Sequence, residues 1–297
     1  MTGLVLVEPT ELYNILNQRT VYPCLSDTNF LLLLDARKKL EYDESHVICA
    51  KRAPCSEDEI FSVPYDAELE CKTHVIVYDS NCRTLREKGR AVKCASTMAG
   101  NGSKNPVKIL RGGYEDFSAM YPFLRTQKII YLPQELDVLN TYPCEILPSI
   151  LYIGTKDQAC SKTVHKDLKI QAHLNMSHST DAFFTEEDKS TYLQIPIEDN
   201  CEADFSSNIP RILDFIANNR KTLRTMLVWS DRGISRSAAA CIAYLMTYYK
   251  WPLKDAWRHI KTCKFTVRPN RGLVRQLSDY EEKLHENRMT NVDDPNY

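Results

Sequence analysis

Along the 297-residue chain, short continuous apolar runs alternate with stretches whose apolar positions recur every three or four residues. Residues 30–36 (FLLLLDA), 74–79 (HVIVYD) and 107–110 (VKIL) are runs of strand length bounded by polar residues. Continuous rather than alternating apolar character predicts strands covered on both faces, as in a parallel sheet. Residues 9–18 (PTELYNILNQ) put Leu12, Ile15 and Leu16 on one face of a predicted helix, with Thr10 as its capping residue. Residues 81–106 predict a charged helix and then a Gly, Asn and Ser loop, together a surface excursion.

The second half repeats the alternation. Strands are predicted at 149–154 (SILYIG), 172–177 (AHLNMS), 192–197 (YLQIPI) and 225–229 (TMLVW). A helix over 209–219 carries Ile209, Ile212, Leu213 and Ile216. A second, starting with Pro252 in its first turn, stripes Leu253, Ala256, Trp257 and Ile260, and a third over 271–286 stripes Leu273, Leu277, Tyr280 and Leu284. These stripes read as core. The pattern predicts two α/β domains, 1–125 and 144–288, joined by a linker over 126–143 where periodicity is interrupted by two prolines, with a tail at 289–297.

Composition narrows the classes. With 43% hydrophobic and 26% charged residues and a formal net charge of -1, the chain reads as an ordinary globular protein with no global attraction to nucleic acid or to an anionic membrane, and no run is long enough to insert into a bilayer. The eleven cysteines are scattered and odd in number, without a CxxC pair, so neither a disulfide framework nor a metal site is indicated, and no cofactor is implied. The first residues carry Glu8 and Glu11 and lack the basic flank of a signal peptide. The cytoplasm is the default compartment, with nuclear or mitochondrial association left open.

Chemistry concentrates in residues 228–237, VWSDRGISRS. A strand ending at Trp229, a turn through Gly233 and a helix starting near Arg236 would aim successive backbone N–H groups at one point, a phosphate-binding nest backed by a helix dipole. Asp231, Arg232, Gly233, Ile234, Ser235, Arg236 and Ser237 make up this cradle; Arg236 can grip two oxygens at once, and Ser235 and Ser237 can donate hydroxyls. Taken alone, the same residues also fit an ordinary strand-to-helix turn.

The spacing of Ser230, Gly233, Arg236 and Ser237 resembles the His-Cys-x-x-Gly-x-x-Arg-Ser loop of dual-specificity protein phosphatases. Residues 144–288 are similar to that domain through ILPSILYIGTKDQA, IQAHLNMS and RPNRGLVRQLSDYE. The first half resembles a rhodanese-like (Cdc25-homology) domain through LLLLDARKKLEYDESHVICA and VKILRGGYEDFSAMYPFL. Together they resemble MAP-kinase phosphatases, and within that group inactive relatives whose loop also lacks the cysteine.

The resemblance implies degenerate catalytic positions. Ser230 stands where the family has its nucleophilic cysteine, Trp229 where it has histidine, and Asp199 in PIEDN where it has the general acid. A cysteine in such a loop attacks as a thiolate; a serine needs a neighbouring base, which Trp229 cannot be. The side chains of Asp231 and Arg232 are expected to point outward, Asp231 repelling phosphate, while Arg232, Lys264, Arg268 and Arg271 form a basic rim. Solvated mixed charge is the plainer reading of each. In the first half Asp79 stands at the sulfur-carrying position of rhodaneses, with Cys82 nearby but out of register, and Asp35, Arg37 and His46 read as structural hydrogen-bonding groups. MAP-kinase docking is doubtful, since Lys51 and Arg52 are followed by Glu57, Asp58 and Glu59.

The expected function is therefore a pseudophosphatase that binds phosphorylated or acidic protein partners, or an active phosphatase, and regulates them without chemistry. The alternative is an enzyme: a sulfurtransferase using Cys82, or a weak phosphatase using Ser230.

Overall fold

The computed structural model describes residues 3–18, 24–86, 88–130, 134–137, 139–185 and 187–294, in two compact units, 1–139 and 140–297. The expected linker straddles that division; its residues 131–133 and 138, and residues 295–297 of the expected tail, lie outside the described residues.

In the first unit the order is β1 (Leu4–Val7), α1 (Pro9–Leu16), β2 (Leu31–Asp35), α2 (Lys39–Glu44), β3 (His46–Val47), β4 (Lys51–Arg52), β5 (His74–Tyr78), α3 (Arg90–Gly100), β6 (Val107–Leu110), α4 (Gly113–Met120), β7 (Arg125–Thr126) and α5 (Gln134–Asp137). The three apolar runs become adjacent parallel strands in a sheet ordered β1-β6-β5-β2-β4. Val75, Val77, Leu32 and Leu34 pack on one face of it against α3. Residues 81–106 are thus not a surface excursion: Ala91, Cys94, Ala95 and Met98 of α3 are buried in that core. Its charges mask this stripe because the apolar residues are small. Glu8, not Thr10, occupies the cap position of α1, since Pro9 can start a helix where no amide bond is needed; the Thr10 hydroxyl lies 3.3 Å from that of Tyr121.

The second unit runs β8 (Cys144–Leu147), β9 (Leu151–Thr155), α6 (Lys156–Ala159), α7 (Lys162–Leu168), β10 (Ala172–Asn175), β11 (Tyr192–Gln194), α8 (Ile209–Lys221), β12 (Met226–Ser230), α9 (Arg236–Tyr249), α10 (Leu253–Cys263) and α11 (Arg271–His285). The sheet order is β11-β10-β12-β9-β8, parallel except for the antiparallel β8, which the sequence reading missed. Pro252 caps α10 from just outside rather than opening its first turn. Helix α9 is buried continuously from Arg236 to Met246. An almost wholly apolar helix cannot face water, so it sits among α8, α10 and α11 and holds its N-terminus at the end of the central strand β12. Among the described residues no helix is long and apolar enough to cross a membrane.

Candidate functional site

Strand β12 delivers Ser230, five residues turn, and α9 starts at Arg236. The turn needs glycine twice over: Gly233 has φ of 63°, and a Cβ there would sit 2.4 Å from the Gly154 carbonyl oxygen. Neighbouring segments fix the loop. Lys264 Nζ donates to the Gly233 oxygen at 2.7 Å, the Arg268 amide to the Ile234 oxygen at 3.0 Å, and the Asn270 amide to Ser235 Oγ at 3.1 Å. Among the described residues the amides of Arg232, Ile234, Ser235 and Arg236 have no acceptor, so the nest at the N-terminus of α9 keeps its donors.

Arg236 is only 6% exposed, yet it is mostly engaged. Nη1 donates to the Ile197 oxygen at 2.9 Å and Nη2 to Asp231 Oδ2 at 2.6 Å; Nε has no hydrogen-bond partner among the described residues, its nearest carboxylate being Asp199 Oδ2 at 3.8 Å. Asp231 thus does not point outward, as the sequence suggested. Its carboxylate folds back onto Arg236 and accepts a second bond from Ser179 Oγ at 2.8 Å. Burial acts against ionisation there, but Arg236 and Ser179 outweigh it and hold the Asp231 carboxyl below its ordinary range.

Ser230 is buried, and its Oγ lies 3.1 Å from Ser237 Oγ; among the described residues its hydroxyl meets no imidazole or carboxylate. Trp229 is fully buried, edge-on to the His173 ring with centroids 6.3 Å apart, and its Nε1 has no acceptor among the described residues. Asp199 Oδ1 accepts from Ser235 Oγ at 2.6 Å and from Asn270 Nδ2 at 2.9 Å, which pins the acid to the loop. His178, Ser179, Glu198, Asp199, Asn200, Asp231 and Arg236 line a cleft of about 480 Å³ at the mouth.

The expected basic rim is smaller than four residues. Lys264 turns inward beneath the loop, where burial holds its amine below its ordinary range, and Arg271 Nη1 donates to the Val292 oxygen. Arg232, Arg268 and Arg271 remain exposed, so Lys264 is the member that leaves the rim.

The first unit ends its strand in a parallel way. Asp79 follows β5, and its carboxylate accepts the amide of Cys82 at 2.9 Å and that of Ala91, in the first turn of α3, at 3.0 Å. The Cys82 thiol is buried and donates to the Thr84 oxygen at 3.5 Å. Asp35 and Arg37 pair through bonds of 2.6 to 3.1 Å, and His46 Nδ1 contacts the Tyr42 oxygen at 2.9 Å, structural roles that suit their burial. Lys51 pairs with Asp66, and Glu59 takes Arg90 at 2.6 Å and Lys93 at 3.5 Å, while Glu57 and Asp58 are exposed.

Two features escaped the sequence reading. The Ser179 and Asp231 contact joins residues 52 apart, and only the acid directly after Ser230 hinted at it. Of the linked side chains of His165, His173 and Asp181, only His173 lies on a predicted element, and the three have no motif spacing.

With this geometry in hand, residues 151–283 match the family model of the dual specificity phosphatase catalytic domain, and residues 9–120 that of the rhodanese-like domain. The chain is 30% identical over 295 residues to Dual specificity protein phosphatase 16 of Homo sapiens, covering 91% of this chain and 44% of that protein. It is 28% identical over 292 residues to Dual specificity protein phosphatase 4 of Homo sapiens, covering 85% and 73%. The chain therefore spans under half of the first relative's length. Among solved structures, a human tyrosine phosphatase-like serine/threonine/tyrosine-interacting protein is 28% identical, covering 48% of this chain and 98% of that one, with a TM-score of 0.42.

Proposed function

We propose, for a chain that carries a rhodanese-like domain followed by a dual-specificity-phosphatase domain, that it is a catalytically inactive pseudophosphatase acting as a regulatory binding protein. The observation that carries this reading is a preserved cradle around a hydroxyl that nothing activates. A thiolate forms here because the nest's dipoles and an arginine lower a cysteine's pKa; a serine alcohol is far too weak an acid for that, and Ser237, its only hydrogen-bond partner among the described residues, is no base. Loss of a nucleophile alone costs on the order of a million-fold in a serine hydrolase, and a comparable loss here leaves no useful rate.

In lacking the loop cysteine the chain resembles the inactive serine/threonine/tyrosine-interacting-like protein, MK-STYX. The free amides of the nest and the unpartnered Nε of Arg236 suit an oxoanion. The partners proposed are phosphorylated or acidic proteins, or an active phosphatase, met in the cytoplasm. A phosphoryl ligand must first displace the Asp231 carboxylate from Arg236, so an incoming anion competes with an internal one.

Restoring chemistry tests the reading. The double variant Trp229→His, Ser230→Cys is expected to hydrolyse a phosphotyrosine peptide, and adding Asp231→Ala is expected to raise that rate. Folded double and triple variants that both stay inactive would show that the cradle is not a phosphatase site lacking only its nucleophile.

A further inference from the structure

Beside the cradle, three titratable side chains form a chain of contacts that the proposed function leaves unused. His173, fully buried on β10, has Nδ1 hydrogen-bonded to Asp181 Oδ2 and Nε2 2.9 Å from Nε2 of His165. The other end of His165, Nδ1, lies 2.9 Å from the Ser161 carbonyl oxygen.

These partners fix the protons. A carbonyl oxygen only accepts, so His165 Nδ1 carries a hydrogen; the Asp181 carboxylate only accepts, so His173 Nδ1 carries another. The contact between the two Nε2 atoms needs a third, because two bare lone pairs at 2.9 Å repel. Two neutral imidazoles bring only two N–H groups, so the arrangement holds one proton more, balanced by Asp181. Asp181 bonds His173 and not His165 directly, so the carboxylate balances the extra charge best on His173. Moving that proton onto Asp181 would not alter the count.

We propose that His173, bridged between Asp181 and His165, is a proton-binding site, and that its proton clamps the 177–184 segment against the cradle. Asp181 Oδ1 accepts the amides of Phe183 at 2.8 Å and Phe184 at 3.1 Å, whose rings lie 3.9 Å from His165 and 4.5 Å from His173. At the segment's other end the Ser179 oxygen accepts from Asn175 Nδ2 at 2.7 Å, while its hydroxyl holds Asp231, the residue that occupies Arg236. The groups facing the pair are the Asp181 carboxylate, the Cys160 thiol near Asp181, and the rings of Phe183, Phe184 and Trp229. Removing the proton abolishes the bond between the rings and leaves Asp181 facing a neutral imidazole. The clamp is thus complete at low pH and lost as pH rises through the transition of the pair, where the Ser179 hold on Asp231 slackens and anions enter more readily. Only this last step rests on the anion-binding reading of the cradle.

Nitrogen-15 NMR of the imidazoles in the full chain tests the site directly. The pair is expected to show three N–H protons at low pH and to lose one in a single step, with hydrogen-exchange protection of the Phe183 and Phe184 amides falling at the same pH. One N–H per ring across the whole range, or protection that ignores the step, would overturn the proposal. Binding of sulfate, an oxoanion that keeps its charge over this range, is expected to tighten about tenfold across the step, the worth of roughly one charge-assisted hydrogen bond. Ser179→Ala should flatten that dependence while leaving the imidazole step in place, and a flat profile in the unaltered chain would overturn the link to the cradle. Sulfate bound at no pH, even by Asp231→Ala, would contradict the anion reading, with the proton site still decided by the nitrogen spectra.

Discussion

At the scale of single residues, Asp231 decides what the cradle can hold. Sequence alone gave its position but not its direction. An acid directly after the degenerate nucleophile reads as a charge turned to solvent, whereas Nη2 of a 6%-exposed arginine five residues on offers a far better partner. Replacing Asp231 with Ala frees that donor, so calorimetry with tungstate should show affinity rising about tenfold or more, in line with one charge-assisted bond. Unchanged or weaker binding would mean that Asp231 does not compete with ligand. The pairing also has a pH sense. Because the folded carboxyl titrates below its ordinary value, the contact with Arg236 is present above about pH 4 and is lost as pH falls through the folded value.

Among elements, the strand-to-helix junctions after β5 and β12 each carry an internal carboxylate, Asp79 on backbone amides and Asp231 on the Arg236 guanidinium. Asp79 accepts one amide in the first turn of α3, that of Ala91, and one in the loop before it, that of Cys82, so Asp79→Ala should lower stability by about 1–2 kcal/mol in denaturant unfolding, the usual worth of such bonds. A variant as stable as the unaltered protein would show those bonds to be idle. His74, at the start of β5, adds a pH dependence of its own. Burial, with Lys108 nearby, pushes its imidazole down to about 4, so the unfolded chain takes up a proton from about pH 6.5 that the fold refuses. Stability should fall as pH drops from about 6.5 to about 4, and His74→Phe should flatten that slope in melting curves; an unaltered slope would assign the acid lability elsewhere. The strands at 31–35, 74–78 and 107–110 were legible because their apolar runs are unbroken, and the loop because its glycine and arginine sit at phosphatase spacing. Strand β8 and the packing of α3 were not. The first is a four-residue antiparallel edge without alternation, and the second presents a stripe of Ala and Cys that charge outweighs.

Across the whole molecule, each of the two α/β units sets an aspartate just after a central strand, Asp79 after β5 and Asp231 after β12. Nothing in that arrangement removes the scaffold: β12, α9, Gly233 and the amides of the loop stand as an anion site requires. On the proposed reading the difference from an active loop is local: Ser230 in place of a thiol and Trp229 in place of an imidazole. The most direct measurement is therefore the turnover of a phosphotyrosine peptide by the purified full chain beside its Arg236→Ala variant. No hydrolysis above background by either protein is the result expected of a pseudophosphatase, and hydrolysis by the unaltered chain that disappears with Arg236 would contradict it.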